Sequence, residues 1–197
     1  MQQEKKIAVE LPELLYLCFF VLMLFSKGIG LYDGQFLYKI FLAISFGIIL
    51  VKMCVTKHSL KEWGIIILVG SVVGIVYITS KEKGILICGA TVLAMKNVSV
   101  QRVFKVGMWT WGITMLGNIA YHLLNLNASG YKVHEKLGLG HIFRWDLGFS
   151  HPNVLHISYL VLCAFIIYHI GEKYNWKHMI GLMIGNLLFF LYSVSYT

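Results

Sequence analysis

Ten consecutive residues, Arg144-Trp145-Asp146-Leu147-Gly148-Phe149-Ser150-His151-Pro152-Asn153, gather the side chains of this chain best suited to chemistry. Arg144 carries a permanent charge on a planar fork that matches a phosphate in two-point contact. His151 can give or take a proton near neutral pH. Pro152 fits the first turn of a helix, where its missing N–H costs nothing, and Ser150 or Asn153 can cap the exposed donors of that turn. A helix starting there presents its positive dipole end and unpaired N–H groups to an anion. Gly148 lets the loop backbone come close to whatever binds, and Trp145 offers a flat face for a sugar beside Arg144. The set suits a lipid-linked phosphate or diphosphate. The competing reading is an ordinary helix cap, with Arg144 paired to Asp146 or to lipid headgroups.

The elements that must position these residues are membrane helices. The chain has 197 residues, is 58% hydrophobic and 13% charged, and has a mean hydropathy of +0.72. Such a chain cannot hide its apolar surface in one soluble core. Spans need roughly 20 apolar residues, and lipid leaves unpaired backbone no water, so the spans must be helical. Seven candidates stand out, at 12–26, 35–55, 63–80, 84–95, 103–124, 154–171 and 176–195. The fourth covers only about 18 Å at ~1.5 Å per residue, so it must be thinly spanned, snorkelled by Lys83 and Lys96, or re-entrant. With the N-terminus in the cytoplasm, the inner connectors carry more Lys and Arg than the outer ones, as membrane topology favours. The bias vanishes if the fourth span is dropped. The fold expected is therefore all-α: a single polytopic transmembrane domain over 1–197 of about seven spans, with an extracytoplasmic loop, 125–150, leading into 144–153.

The net charge of +8 would suggest nucleic acid in a soluble protein. Here the lysines lie scattered at the ends of apolar runs, which points to topology signals and anionic-lipid contacts, with no nucleic-acid partner. Cys18, Cys54, Cys88 and Cys163 lack the CxxC spacing of metal or redox sites and are expected to be buried thiols. His134, His141, His151 and His156 lack the paired spacing of zinc ligands, so no metal is expected. Asn118 and His122, four apart near the end of the fifth span, are expected to line the site or to pair helices. Asp33, Glu135 and Asp146 read as solvated loop charges, and Gly70/Gly74 and Gly181/Gly185 as small-residue pairs for close helix approach. No cleavable leader is evident before the first span.

The run Arg144-x-Asp146-Leu147-Gly148-Phe149-Ser150-His151-Pro152-Asn153 closely resembles the Arg-x-x-Leu-Gly-Phe-x-His-Pro-Asn pattern of Wzy-type oligosaccharide repeat-unit polymerases, relatives of O-antigen ligases. The resemblance implies a bacterial glycosyltransferase that lengthens capsule, exopolysaccharide or O-antigen-like chains on the outer face of the cytoplasmic membrane. It implies inversion at the anomeric centre, no metal and no cofactor. The partners implied are glycans on undecaprenyl diphosphate, membrane lipid, and flippase and chain-length regulator proteins. Carried over by match, Arg144 and His151 are the catalytic residues. Arg144 holds the diphosphate and stabilises charge on the leaving group, while His151 positions the acceptor or takes its hydroxyl proton. Asn153, Trp145, Gly148, Ser150 and His122 are expected to contact substrate. Such polymerases are usually longer, with more spans and a second large outer loop that this chain lacks. It is therefore expected to be an N-terminal portion, with an inactive remnant or a non-enzymatic partner in polysaccharide assembly or transport as the alternative.

Overall fold

A computed structural model describes residues 9–125, 131–136 and 140–193; for 132, 134–136 and 142 it describes backbone alone. Seven α-helices occur among the described residues: α1 (Leu11–Gly28), α2 (Phe36–Val55), α3 (Leu60–Ser80), α4 (Lys83–Leu93), α5 (Val100–Leu124), α6 (Pro152–Ile170) and α7 (Trp176–Ser193). Each coincides with one of the apolar runs, to within a few residues at either end. Four of them, α1, α2, α3 and α6, are long and apolar enough to cross a membrane. The 11 residues of α4 reach about 17 Å at ~1.5 Å per residue, short of a hydrocarbon core of about 30 Å. In α5 and α7 polar residues such as Arg102, Lys105, Asn118 and Asn186 dilute the apolar run.

Two features depart from expectation. The 125–150 connector is not purely loop: β1 (Tyr131–Lys136) and β2 (Gly140–Trp145) pair antiparallel, with Tyr131 opposite Trp145 and Lys132 opposite Arg144. Helix α3 also starts earlier than the apolar run. The cause is a capping box in which the Ser59 hydroxyl accepts the Glu62 N–H and the Glu62 carboxylate accepts the Ser59 N–H at 2.7 Å, satisfying two otherwise orphaned donors.

The chain divides into two compact units. The first is Met1–Phe20 with Ala43–Val100. Within it, the buried Tyr16 donates its hydroxyl to the Thr91 carbonyl at 3.2 Å, and Glu13 accepts the Ser99 N–H at 3.0 Å. Lys52, one of the lysines read as topology signals, is fully buried and donates to the Lys96 carbonyl at 2.9 Å. A buried ammonium needs such a partner. Gly89 of α4 sits where a Cβ would come 3.0 Å from the Val73 methyls, whereas Gly70 and Gly74 face open space. The Gly70/Gly74 pair thus packs no helix among the described residues.

The second unit is Val21–Leu42 with Gln101–Thr197. Val103, Gly107, Trp111, Met115 and Ile119 form a buried stripe on α5, and Leu155, Ser158, Leu162 and Phe165 are buried on α6. The four-residue step on α5 keeps one face inward. Trp111 donates its indole N–H to the Ser158 carbonyl at 2.8 Å. Towards α7, Tyr159 of α6 stacks on Phe189 and donates to the Leu182 carbonyl at 2.9 Å, while His156 meets Asn186 at 2.8 Å. Gly185 makes this approach possible, since a Cβ there would lie 2.0 Å from the Tyr159 oxygen; Gly181 faces open space.

The cysteines correct a further expectation. Cys18, Cys54 and Cys88 are exposed and Cys163 is half-buried, all as free thiols. These helices are apolar on their exposed faces as well as their buried ones, so an apolar run alone does not reveal which way a thiol points.

Candidate functional site

The ends of α1, α5 and α7 and the start of α6 meet at the segment 144–153, all within the second unit. Arg144, at the end of β2, is only 5% exposed. Its Nε donates to the Ser193 carbonyl at 2.8 Å, and one terminal nitrogen donates to the Asn153 side-chain oxygen. Ser193 is the last described residue of α7. Arg144 thus joins the end of α7 to the first turn of α6. It does not pair with Asp146, so that part of the helix-cap reading is set aside.

The helix cap itself is His151, not Ser150 or Asn153 as expected. His151 adopts an extended backbone, and its Nδ1 accepts the Asn153 N–H at 3.1 Å, with Pro152 at the first helical position. An acceptor at Nδ1 places the neutral ring's proton on Nε2, which makes Nε2 a donor. Asn153 is the hub: its backbone N–H goes to His151 and its side-chain oxygen to Arg144.

The chain reaches this arrangement through a tight turn. Phe149 N–H bonds the Asp146 carbonyl at 3.0 Å, and the central residues Leu147 and Gly148 have φ of 45° and 83°. Left-handed backbone suits glycine but costs a leucine roughly 1–2 kcal/mol. The turn is held from several sides. Asp146, expected as a solvated charge, is buried, and its carboxylate accepts the Gly148 N–H at 3.2 Å. Asn118 of α5 donates to the Leu147 carbonyl at 3.2 Å. Leu147 and Phe149 are buried.

Gly148 does permit a close approach, and what approaches is protein. A Cβ there would lie 2.2 Å from the His122 imidazole, and a Cβ on Gly30, after α1, would lie 2.0 Å from the Gly148 carbonyl. His122 itself is oriented by Nδ1 lying 2.9 Å from the Asn118 carbonyl oxygen. Asn118 and His122 therefore hold the turn from behind. Gly30 was not singled out in the sequence; its spacing from Gly28, whose own Cβ would strike Thr114, is the signal that could have found it. The Ser193 carbonyl has no sequence signal, because any residue supplies one.

Strand alternation separates Trp145 from Arg144, since neighbours on a strand face opposite ways. Trp145 and Phe143 line a cavity of about 440 Å³ with Leu123, Leu147, Leu191 and Tyr192. Tyr131 lies against both rings, at 5.8 Å from Phe143 and 5.9 Å from Trp145. Ser150 is in another place again, lining a cavity of about 240 Å³ with Lys27, Tyr32 and Trp111. Of the expected site residues, the structure brings together Arg144, His151 and Asn153. It puts Gly148 and His122 in a supporting layer, and Trp145 and Ser150 on two different cavities.

Among the described residues no three His, Cys, Asp or Glu side chains are placed to hold a metal. His141 is exposed and His156 is engaged by Asn186; the side chains of His134 and Glu135 lie outside the described residues, as does the chain beyond Ser193. No family model matches the chain, and no curated protein or solved structure matches it.

Proposed function

We propose that this chain is a polysaccharide polymerase of the repeat-unit type, lying in the bacterial cytoplasmic membrane with seven helices embedded and the N-terminus in the cytoplasm. On this reading α6 begins at the outer face and runs inward. The reaction joins two glycans carried on undecaprenyl diphosphate. A hydroxyl oxygen of the incoming unit bonds to the anomeric carbon of the growing chain, the bond from that carbon to the diphosphate breaks with inversion, and the hydroxyl gives up its proton.

The observation that carries the proposal is the convergence of Arg144, His151 and Asn153 on one helical turn. Arg144 supplies charge to the leaving diphosphate, and the first turn of α6 adds its dipole. Both Arg144 contacts are to neutral oxygens, so an incoming phosphate competes for the guanidinium on favourable terms. With Nδ1 accepting from backbone, His151 is a donor through Nε2, suited to hold a phosphate or sugar oxygen. The proton of the attacking hydroxyl then passes to the departing diphosphate, directly or through water.

Arg144→Lys tests the proposal. Lysine keeps the charge and loses the fork, so polymer formation in cells deleted for the endogenous gene is expected to fall below about 1% of wild type, given that one such electrostatic contact is worth roughly 10²–10³ in rate. Normal polymer from this variant, with the protein present in the membrane, overturns the assignment. A second reading has an observation of its own: Arg144 is buried and used to tie α7 to α6, as in a non-enzymatic membrane partner of polysaccharide assembly. That reading predicts that Arg144→Lys leaves polymer intact and lowers only thermal stability.

A further inference from the structure

His58 lies in the turn between α2 and α3, its ring edge-on to Trp63 with centroids 5.2 Å apart. Both of its ring nitrogens are shut off from solvent, and neither has a hydrogen-bond partner. A buried polar group without a partner costs roughly 1–3 kcal/mol, and an imidazolium there would cost more. The groups acting on it come from three elements: Lys52 of α2, Glu62 of α3 and Lys96 following α4. All are already engaged. Lys52 donates to the Lys96 carbonyl at 2.9 Å, and the Lys96 ammonium lies 2.5 Å from Glu62, whose same oxygen takes the Ser59 N–H at 2.7 Å. On its own segment, Lys57 and Lys61 are exposed.

We propose that this turn is an acid-sensitive latch: a proton taken up by His58 competes with Lys96 for the Glu62 carboxylate and releases the segment following α4 from the α2–α3 turn. The inference is independent of the polymerase reading. A proton on His58 adds a third positive charge to those of Lys52 and Lys96, with Glu62 the one carboxylate acting against them. Two N–H donors then require acceptors that the closed turn does not supply, so the charged ring must reach Glu62 or leave. Burial, with the Lys96 charge adding to it, Glu62 opposing and Lys52 adding again, already holds the closed-state imidazole below its ordinary value of 6.5.

The sign follows from linkage. The open turn binds a proton near the ordinary imidazole value and the closed turn binds it less well. The closed state is therefore fully favoured above about pH 6.5 and loses stability as pH falls below that value. In that window one proton per opening raises the opening equilibrium by up to about tenfold per pH unit.

Hydrogen exchange of the full chain in lipid nanodiscs tests this at pH 7.5, 6.5 and 5.5, corrected for the intrinsic pH dependence of exchange. Peptides over 56–63 and 94–99 are expected to exchange up to about tenfold faster at pH 5.5 than at pH 7.5, while peptides within α6 do not change. In His58→Phe, which keeps a ring against Trp63, the acceleration is expected to disappear. Equal acceleration in wild type and His58→Phe, or none in wild type, overturns the latch. Should the variant fail to fold, nitrogen-15 titration of His58 in the wild-type chain decides it: a pKa at or above 6.5 overturns the proposal, and one below it supports it.

Discussion

At the scale of single residues, the candidate site rests on a few side chains whose partners are mostly backbone. Arg144 meets a helix-end carbonyl, His151 accepts a helix-start N–H, and Asn118 holds the carbonyl of a left-handed leucine. Gly148 is the most constrained of them, combining φ of 83° with an imidazole where its Cβ would be. Gly148→Ala is therefore expected to lower unfolding stability by about 1–3 kcal/mol from the left-handed backbone alone, seen as a lower melting temperature in detergent. The clash with the His122 ring adds to that loss, and a second substitution, His122→Ala, should remove this added part. If Gly148→Ala melts with wild type, the turn is not clamped as described.

At the scale of elements, the helices divide by how they find partners. Gly181 and Gly185 form a single small-residue pair in the sequence, yet only Gly185 receives a neighbour, the Tyr159 ring of α6. Substitution should separate them. Gly185→Ala must push the ring away, an overpacking cost of about 1–3 kcal/mol. Gly181→Ala meets open space and should gain up to about 1 kcal/mol from helix propensity. Melting temperatures that shift together in the two variants would contradict the α6–α7 packing. The start of α3 shows the reverse case, where a local pattern, the Ser59-x-x-Glu62 capping box, sets the boundary three residues before the apolar run expected at 63.

At the scale of the whole molecule, the outward surface is the strongest statement. No residue of α3 is buried within the chain, and Leu68 at its middle is 66% exposed. In water a lysine at such a position would be nearly neutral. In a bilayer it should cost about 2.5–3.5 kcal/mol of insertion. Leu68→Lys is thus expected to reduce the fraction of α3 inserted in a glycosylation-mapping assay, whereas Ser80→Lys at the helix end should leave it unchanged. Full insertion of Leu68→Lys would mean that α3 does not cross lipid.

The sequence by itself determined where the helices run. Each expected apolar run is a helix among the described residues, to within a few residues, because an apolar run is a local property of the chain. It also marked 144–153 as the place where Arg144, His151, Pro152 and Asn153 open a helix, since proline and capping residues act within one turn. It did not show which groups those residues would meet. The exposed cysteines, the buried Lys52 and the helix-end carbonyl that Arg144 meets depend on neighbours far along the chain. Only the tertiary structure decided these, because direction and partner on a helix or strand are set by packing, and apolar residues look alike in sequence whether they face lipid or core.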